Sequence, residues 1–300
     1  MDKLPELIIA PPGTPAPPLP DPDGEGVEAW REHDGSVCAL GHIEDGERWF
    51  HLLGVGSFRF ARTGGVVAVV PEGTDADRVG DAYRRSVLPL VLQSRGLEVL
   101  HASAVRAPHG VIALCAVKET GKTTLAYALS RRGYPLWADD AVVVDTPADP
   151  AAAAVHVRQL PFGMRLRPAS ATFFGHDRGA ANGRAHVSGV AGDFAEAVPL
   201  AALYVLARDE GVASGAEVRR LSAAAALTAV LAHAYCFSLE DPTRKGRMMA
   251  QYLALVSRVP VYEVRFATGL DRVPAILDAI EHTFPVASGT DGGERHAVGA

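Results

Sequence analysis

The chain has few of the features that mark secreted, membrane-spanning and zinc-binding proteins. Its three cysteines, Cys38, Cys115 and Cys236, lie far apart and have no Cys-x-x-Cys spacing or histidine cluster around them, so neither a disulfide framework nor a zinc site is predicted. No apolar stretch approaches the roughly 20 residues of a membrane-spanning helix, and the amino terminus lacks the basic start and apolar run of a signal peptide. We therefore expect a cytoplasmic protein with reduced thiols and no membrane partner.

Positive charge is not in excess either. The 29 Lys and Arg residues are outnumbered by 35 Asp and Glu, which gives a formal net charge of -6. Such a chain exerts no general attraction on nucleic acid, so no nucleic-acid partner is expected. With 48% hydrophobic and 21% charged residues, the composition is that of an ordinary globular protein.

The two ends of the chain and its first third differ from the rest in composition. Residues 1–24 hold eight prolines, which remove amide donors and favour extended chain, so this segment is predicted to be a disordered, proline-rich leader. Residues 287–300 are small, polar and glycine-bearing, which predicts a flexible tail. Residues 25–96 contain short strand-like runs between Gly and Asp residues, followed by helical spacing in which Pro89 predicts a kink or junction. They are predicted to form a small antiparallel β region with a helix.

The remaining part, residues 97–286, carries a phosphate-loop motif. The apolar run "GVIALCAV" precedes Gly121, Lys122 and Thr123, and a helical pattern follows; strand, loop and helix in this order are the context of a phosphate-binding loop. Gly121 would let the backbone approach phosphate, Lys122 would reach the β and γ phosphates, and Thr123 would bind magnesium.

Two positions of the loop depart from the usual motif. The glycine expected five residues before Gly121 is Ala116, and Glu119 lies inside the loop. A carboxylate near a triphosphate is repelled by about 1 kcal/mol or more, unless it points outward toward Lys118 or Arg131. The sequence leaves open which of these holds.

Two adjacent carboxylates, Asp139 and Asp140, follow the apolar run "PLWA". The distance along the chain from the loop is that of a βαβ crossover, which brings strand ends together beside the loop. One acid can then accept a proton from an attacking hydroxyl while the other holds magnesium. The alternative is an Asp-Asp turn or a helix cap.

Five segments together resemble one kinase family: "LHASAV" with His101, "VKETGKTTLAYAL", "RRGYPLWADDAVVV" and, more loosely, "LPFGMRLRP" and "VPVYEVRF". They are similar to the catalytic domain of HPr kinase/phosphorylase and its stand-alone relatives that phosphorylate lasso-peptide precursors. The resemblance implies an α/β fold, with a P-loop kinase core of the phosphoenolpyruvate carboxykinase/HPr kinase type and a mixed sheet. The chain lacks the glycines that the family has at positions 116 and 119, and it lacks the segment that the family uses for dephosphorylation. The resemblance therefore implies kinase activity without phosphorylase activity.

The resemblance also implies roles for individual residues. Asp139 would be the base, with His101 tuning it or holding the γ phosphate, and Asp140 would bind magnesium together with Thr123. The implied ATP-binding residues are Thr120, Gly121, Lys122, Thr123 and Thr124. Arg165 and Arg167 would face phosphate or substrate, although a solvated strand edge explains them equally well.

The predicted function is therefore an ATP- and Mg2+-dependent kinase of a serine in a peptide or small protein. Two alternatives stay open: a catalytically weakened nucleotide- or peptide-binding scaffold, and a kinase of a small-molecule hydroxyl. The basic cluster "TRKGR" at 243–247 is either a receiver of a substrate carboxylate or a solvated helix start. A homo-oligomer is also left open.

Overall fold

The first third of the chain folds into a six-stranded sheet covered on one face by a helix. The computed structural model describes residues 3–32, 34–146, 154–176, 185–190, 192–213, 215–237 and 241–284. The strands of the first sheet are β1 (Leu7–Ile9), β2 (Val27–Arg31), β3 (Val37–Glu44), β4 (Glu47–Leu52), β5 (Gly56–Phe60) and β6 (Val66–Val69). Their spatial order is β1-β6-β5-β4-β3-β2, and all pairs except β1 with β6 are antiparallel. The predicted antiparallel β region is thus present.

The prediction of a disordered leader over residues 1–24 is wrong for the segment around β1. Leu7–Ile9 pairs in parallel with β6, and the Tyr83 hydroxyl donates to the carbonyl of Pro5. The physical reason is that the three residues of β1 are free of proline and keep the amides that a sheet edge needs. The predicted tail, 287–300, lies outside the described residues.

A helix with an irregular middle packs on the inner face of this sheet. It consists of α1 (Ala76–Ala82), a π-helical turn (Tyr83–Val87) and α2 (Leu88–Ser94). Period-2 alternation turns Phe50 and Phe58 toward it, where they are buried with Val79, Val87 and Val91. The predicted junction near Pro89 is confirmed, because the π-helical turn ends just before this proline.

The remaining strands form a second, mixed sheet and one separate two-stranded pair. Their bounds are β7 (Glu98–Leu100), β8 (Ala102–Ala107), β9 (Gly110–Cys115), β10 (Leu136–Ala138), β11 (Val142–Asp145), β12 (His156–Arg158), β13 (Phe162–Leu166), β14 (Ala185–Val190), β15 (Ala197–Arg208), β16 (Glu217–Arg220) and β17 (Val261–Phe266). The main path is β10-β8-β9-β15-β12-β11-β7, with β17 between β15 and β16, while β13 and β14 pair with each other. β15 is parallel to both β9 and β17, and its other pair, with β12, is antiparallel. The predicted mixed sheet is confirmed.

Helices cover both faces of the mixed sheet. They are α3 (Lys122–Arg131), α4 (Pro168–Phe173), α5 (Ala223–Leu231), α6 (Pro242–Arg258) and α7 (Val273–Glu281), the last preceded by a 3-10 turn (Leu270–Arg272). Leu125 and Leu129 of α3 share one core with Ile276 and Ile280 of α7, whereas α5 and α6 pack in a second core around Tyr252.

The basic cluster at the start of α6 is not fully solvated, because one of its arginines lies inside the protein. Arg244 is only 1% exposed, and its guanidinium pairs with the Glu98 carboxylate at 2.8 Å. Arg244 therefore joins α6 to β7 inside the protein.

Over the described ranges, helices both long enough and apolar enough to cross a membrane are absent.

Candidate functional site

A cleft of about 630 Å³ lies at the carboxyl ends of the three parallel strands. β9 runs into the loop 116–121, β15 ends at Arg208, and β17 ends at Phe266. In open α/β sheets this end of the parallel strands is where ligands bind, because the loops there diverge and leave a crevice. All ten residues predicted for the site line this cleft: His101, Thr120, Gly121, Lys122, Thr123, Thr124, Asp139, Asp140, Arg165 and Arg167.

The backbone of the loop explains which departures from the motif matter. Gly121 has a φ of 120°, a conformation in which a side chain is strained, so glycine is required there. Glu119 also has a positive φ, 77°, and is thus a non-glycine residue in a left-handed conformation. Positive φ in this loop occurs only at these two residues, so Ala116 needs no glycine-like backbone and replaces glycine without strain.

The start of α3 presents the anion-binding end of a helix to the cleft. Gly121 is the N-cap residue, and no atom of the described chain lies within 4 Å of a Cβ built on it. The first amides of a helix have no intrahelical partner and carry the positive end of the helix dipole. Together with the open space at Gly121, they make a cradle suited to phosphate.

Lys122 and His101 hold each other beside this cradle. Lys122 is only 8% exposed, and its Nζ donates to His101 Nε2 at 2.9 Å. Burial lowers the pKa of Lys122, and the Asp140 and Asp139 carboxylates offset part of that effect. Burial, followed by the Lys122 charge, lowers the pKa of His101 to about 4. His101 is therefore a neutral acceptor for the lysine ammonium at neutral pH.

His101 lies where the chain passes from one strand to the next and changes its pairing partners. It lies between β7, which pairs with β11, and β8, which pairs with β9 and β10, and its amide donates to the His233 carbonyl at 2.7 Å. The resemblance implies that His101 acts on Asp139, but the structure places it nearer Asp140, with Nε2 at 3.9 Å from Oδ1.

Asp139 is the buried member of the acidic pair. It is 7% exposed, and its Oδ1 accepts hydrogen bonds from Ser103 Oγ at 2.7 Å and from Thr123 Oγ1 at 2.9 Å. Burial, and secondly the Asp140 charge, raises the pKa of Asp139 to about 6. Ser103 is not among the predicted site residues, although its place in "LHASAV", two residues after His101 in an otherwise apolar strand, is a signal for it.

Asp140 turns the other way. Its φ of 67° is left-handed, its carboxylate pairs with Arg85, and its side chain is 27% exposed at the cleft. The predicted pairing of Thr123 with Asp140 is therefore corrected, since Thr123 contacts Asp139 instead. The reason is the change in backbone direction between consecutive residues, which the sequence pattern does not reveal.

Two of the predicted arginines line the cleft. Arg165 pairs with Asp81 at 3.1 Å, and Arg167 pairs with Glu119 at 2.9 Å. Only Arg165 lies in β13, because Arg167 is already the N-cap residue of α4. Glu119 thus pairs with a residue of the cleft.

Three residues that the sequence did not predict also line the cleft: Arg85, Arg208 and Tyr235. Arg208 donates to the Glu119 carbonyl, and it stands at the carboxyl end of a strand, a position from which it could have been predicted. Arg85 and Tyr235 come from distant parts of the chain and had no such signal. The Thr124 hydroxyl lies 2.9 Å from Ser170 Oγ, and the Thr120 amide donates to the Val117 carbonyl at 3.3 Å.

Comparisons with known proteins add little. No family model matches the chain, and no curated protein matches it. A solved structure that resembles it is the Hpr(Ser) kinase/phosphatase from Coxiella burnetii, with a TM-score of 0.33 and 10% identity over 61% of this chain and 95% of that one. The geometry of the chain itself defines its class, a mixed α/β protein with a strand, loop and helix of phosphate-binding form.

Proposed function

We propose that the protein is an ATP- and Mg2+-dependent kinase that phosphorylates a hydroxyl, and specifically a serine of a peptide or small protein. The observation that carries the proposal is the convergence of three features in one cleft: the open cradle at Gly121, the buried ammonium of Lys122 and two carboxylates facing in different directions. Phosphoryl transfer needs charge stabilisation and positioning more than covalent chemistry by the protein.

The phosphates of the nucleotide fit the loop and the start of α3. The amides after Gly121 would bind phosphate oxygens, and Lys122 would exchange its contact with His101 for the β and γ phosphates. The cleft continues past the loop along Phe266, Leu270 and Val273. This apolar side suits the base of the nucleotide.

Thr123 and Asp139 are the residues that would hold a magnesium ion. Their oxygens are already 2.9 Å apart, and hydroxyl with carboxylate is the protein donor set that phosphoryl-transfer sites use. Clusters of three or more His, Cys, Asp or Glu that could hold a metal are absent from the described ranges. When bound, magnesium supplies neutralisation of the charge on the phosphates.

The acceptor hydroxyl would give its proton to Asp140. The Asp140 carboxylate is partly exposed at the cleft, whereas Asp139 is buried and bonded to two hydroxyls. In the transfer, a bond forms between the acceptor oxygen and the γ phosphorus, the bond to the β,γ-bridging oxygen breaks, and the hydroxyl proton passes to Asp140. This assignment exchanges the roles that the sequence resemblance implies for the two acids.

The nature of the acceptor rests on the charged side chains that line the cleft. Arg165 and Arg167 lie there half-exposed, which suits an acceptor with negative charge near its hydroxyl. A small-molecule hydroxyl would use the same residues, and the scaffold alternative keeps nucleotide binding without transfer.

The test is phosphate transfer from γ-labelled ATP, with magnesium, to serine peptides, small proteins and small-molecule alcohols. Lys122→Ala and Asp140→Asn should each abolish transfer, whereas Lys245→Ala, which removes an exposed lysine of α6, should keep the wild-type rate. An ATP-dependent rise in melting temperature without transfer to any acceptor would favour the scaffold. The absence of both transfer and thermal shift would overturn the proposal.

A further inference from the structure

Arg85 reaches the cleft from outside the segment predicted to be the kinase core. It lies in the π-helical turn between α1 and α2, within the part of the chain assigned to the N-terminal region. Its side chain makes three contacts at once: with the Asp140 carboxylate, with Asp81 at 3.1 Å and with the carbonyl of Gly163. A guanidinium with this many fixed partners is held in one orientation.

The π-helical turn is what directs Arg85 toward the cleft. In an α-helix the carbonyl of Arg85 would accept from the amide four residues later, but that residue is Pro89, which has no amide hydrogen. The hydroxyl of Tyr235 lies 3.4 Å from this carbonyl and 3.3 Å from the carbonyl of Asp140. One half-buried tyrosine thus bonds to both the turn and the backbone of the acid, and π-helical turns are frequent at functional sites.

Asp140 needs such support because its own backbone is strained. A left-handed conformation costs about 1–2 kcal/mol for a residue with a side chain, and it persists only where the surroundings determine it. The contacts that do so here are the Arg85 guanidinium on the carboxylate and the Tyr235 hydroxyl on the carbonyl.

The charges around Asp140 point to the same role. Asp139 is its neighbour in the chain and repels it, His101 is neutral, and the Lys122 ammonium is bonded to His101. Arg85 is the cation that the structure places directly on the Asp140 carboxylate.

We propose that Arg85 is a positioning residue that holds the Asp140 carboxylate toward the acceptor side of the cleft. The π-helical turn of the N-terminal region is then part of the catalytic unit. This inference rests on the proposed function, in which Asp140 accepts the proton of the hydroxyl.

The first test separates catalysis from nucleotide binding. Arg85→Gln should lower kcat about 10- to 100-fold, the usual effect of removing a residue that orients another, while KM for ATP changes less than about twofold, since Arg85 contacts the acid and not the phosphate loop. Arg85→Lys keeps the charge and should recover part of kcat. The matched control is Arg84→Gln, which removes the exposed neighbouring arginine and should leave kcat unchanged.

The second test does not depend on activity. Melting temperatures are measured for Arg85→Gln, Asp140→Asn and the double variant without nucleotide. Coupling through direct contact predicts that the shifts of the single variants do not add in the double variant. Additive shifts, or a wild-type kcat in Arg85→Gln, would overturn the inference. A rise in the KM for ATP without a fall in kcat would also overturn it.

The two proposals fail in different ways. If the wild-type protein binds ATP and transfers phosphate but Arg85→Gln keeps its kcat, only the positioning role falls. If the wild-type protein does neither, the kinase itself falls and the role of Arg85 with it. If Arg85→Gln does not fold, Arg85→Lys decides, because a wild-type kcat in that variant would show that the fork of hydrogen bonds is not needed.

Discussion

Replacing Glu119 by glycine should tighten the binding of ATP. The Glu119 carboxylate sits at the edge of the phosphate loop, its side chain is 52% exposed, and it pairs with Arg167 at 2.9 Å. Removing it takes one negative charge away from the site proposed for the phosphates and releases the Arg167 guanidinium toward them. Both effects strengthen the binding of ATP.

The magnitude follows from the exposure of the carboxylate. Because about half of the side chain is in water, the repulsion of a phosphate charge some 4 Å away is about 1 kcal/mol, and this corresponds to about fivefold in the dissociation constant. Stability should change little. Glycine relieves the left-handed strain at this position, about 1–2 kcal/mol, but it also increases the conformational freedom of the unfolded chain by about 1 kcal/mol.

The assay is calorimetric titration with Mg-ATP at low and high salt, and Glu119→Gln serves as the control that removes the charge while keeping the side chain. If charge is the cause, both variants bind more tightly, and raising the salt reduces the gain. A gain in Glu119→Gly alone would assign the effect to the backbone. Unchanged or weaker binding in both variants would refute the reasoning.

Three further changes test the loop, the buried acid and the core. Gly121→Ala forces a side chain into a φ of 120°, so ATP should bind at least about tenfold more weakly; wild-type affinity in a titration would show that the loop tolerates a Cβ. The pKa of Asp139 is raised from 3.8 to about 6, so ionised Asp139 destabilises the fold above that pH. Asp139→Asn should therefore raise the melting temperature at pH 8, measured without magnesium, and lose this gain as the pH falls toward 4; a gain that is the same at both pH values contradicts the burial argument. Arg244→Met leaves the buried Glu98 carboxylate without its cation and should cost about 3–5 kcal/mol in urea unfolding, most of it recovered by adding Glu98→Gln; a loss below about 1 kcal/mol would mean that the pair is not desolvated.

The order of elements around the phosphate loop could be predicted from local patterns. The apolar run to Cys115, the loop with Gly121 and the helix from Lys122 are contiguous in the chain, and each depends on the chemistry of neighbouring residues. The acids at 139 and 140 were predicted to lie beside this loop from the length of a βαβ crossover, and the structure places them there.

The parts that were missed depend on contacts across long distances in the chain. Arg85 reaches Asp140 over 55 residues and Tyr235 reaches it over 95, and neither carries a local signal. The short strand β1 was hidden by the prolines around it, because its stability comes from pairing with β6 and not from its own composition.

The amino-acid sequence by itself determines that a glycine, a lysine and a threonine stand at the start of a helix that follows a buried strand, because backbone freedom and helix geometry are local properties. It also determines that two carboxylates follow one apolar strand. Only the tertiary structure decides which carboxylate meets Thr123 and which faces the cleft, since that choice depends on the left-handed turn at Asp140 and on Arg85 and Tyr235, which hold it from distant parts of the chain.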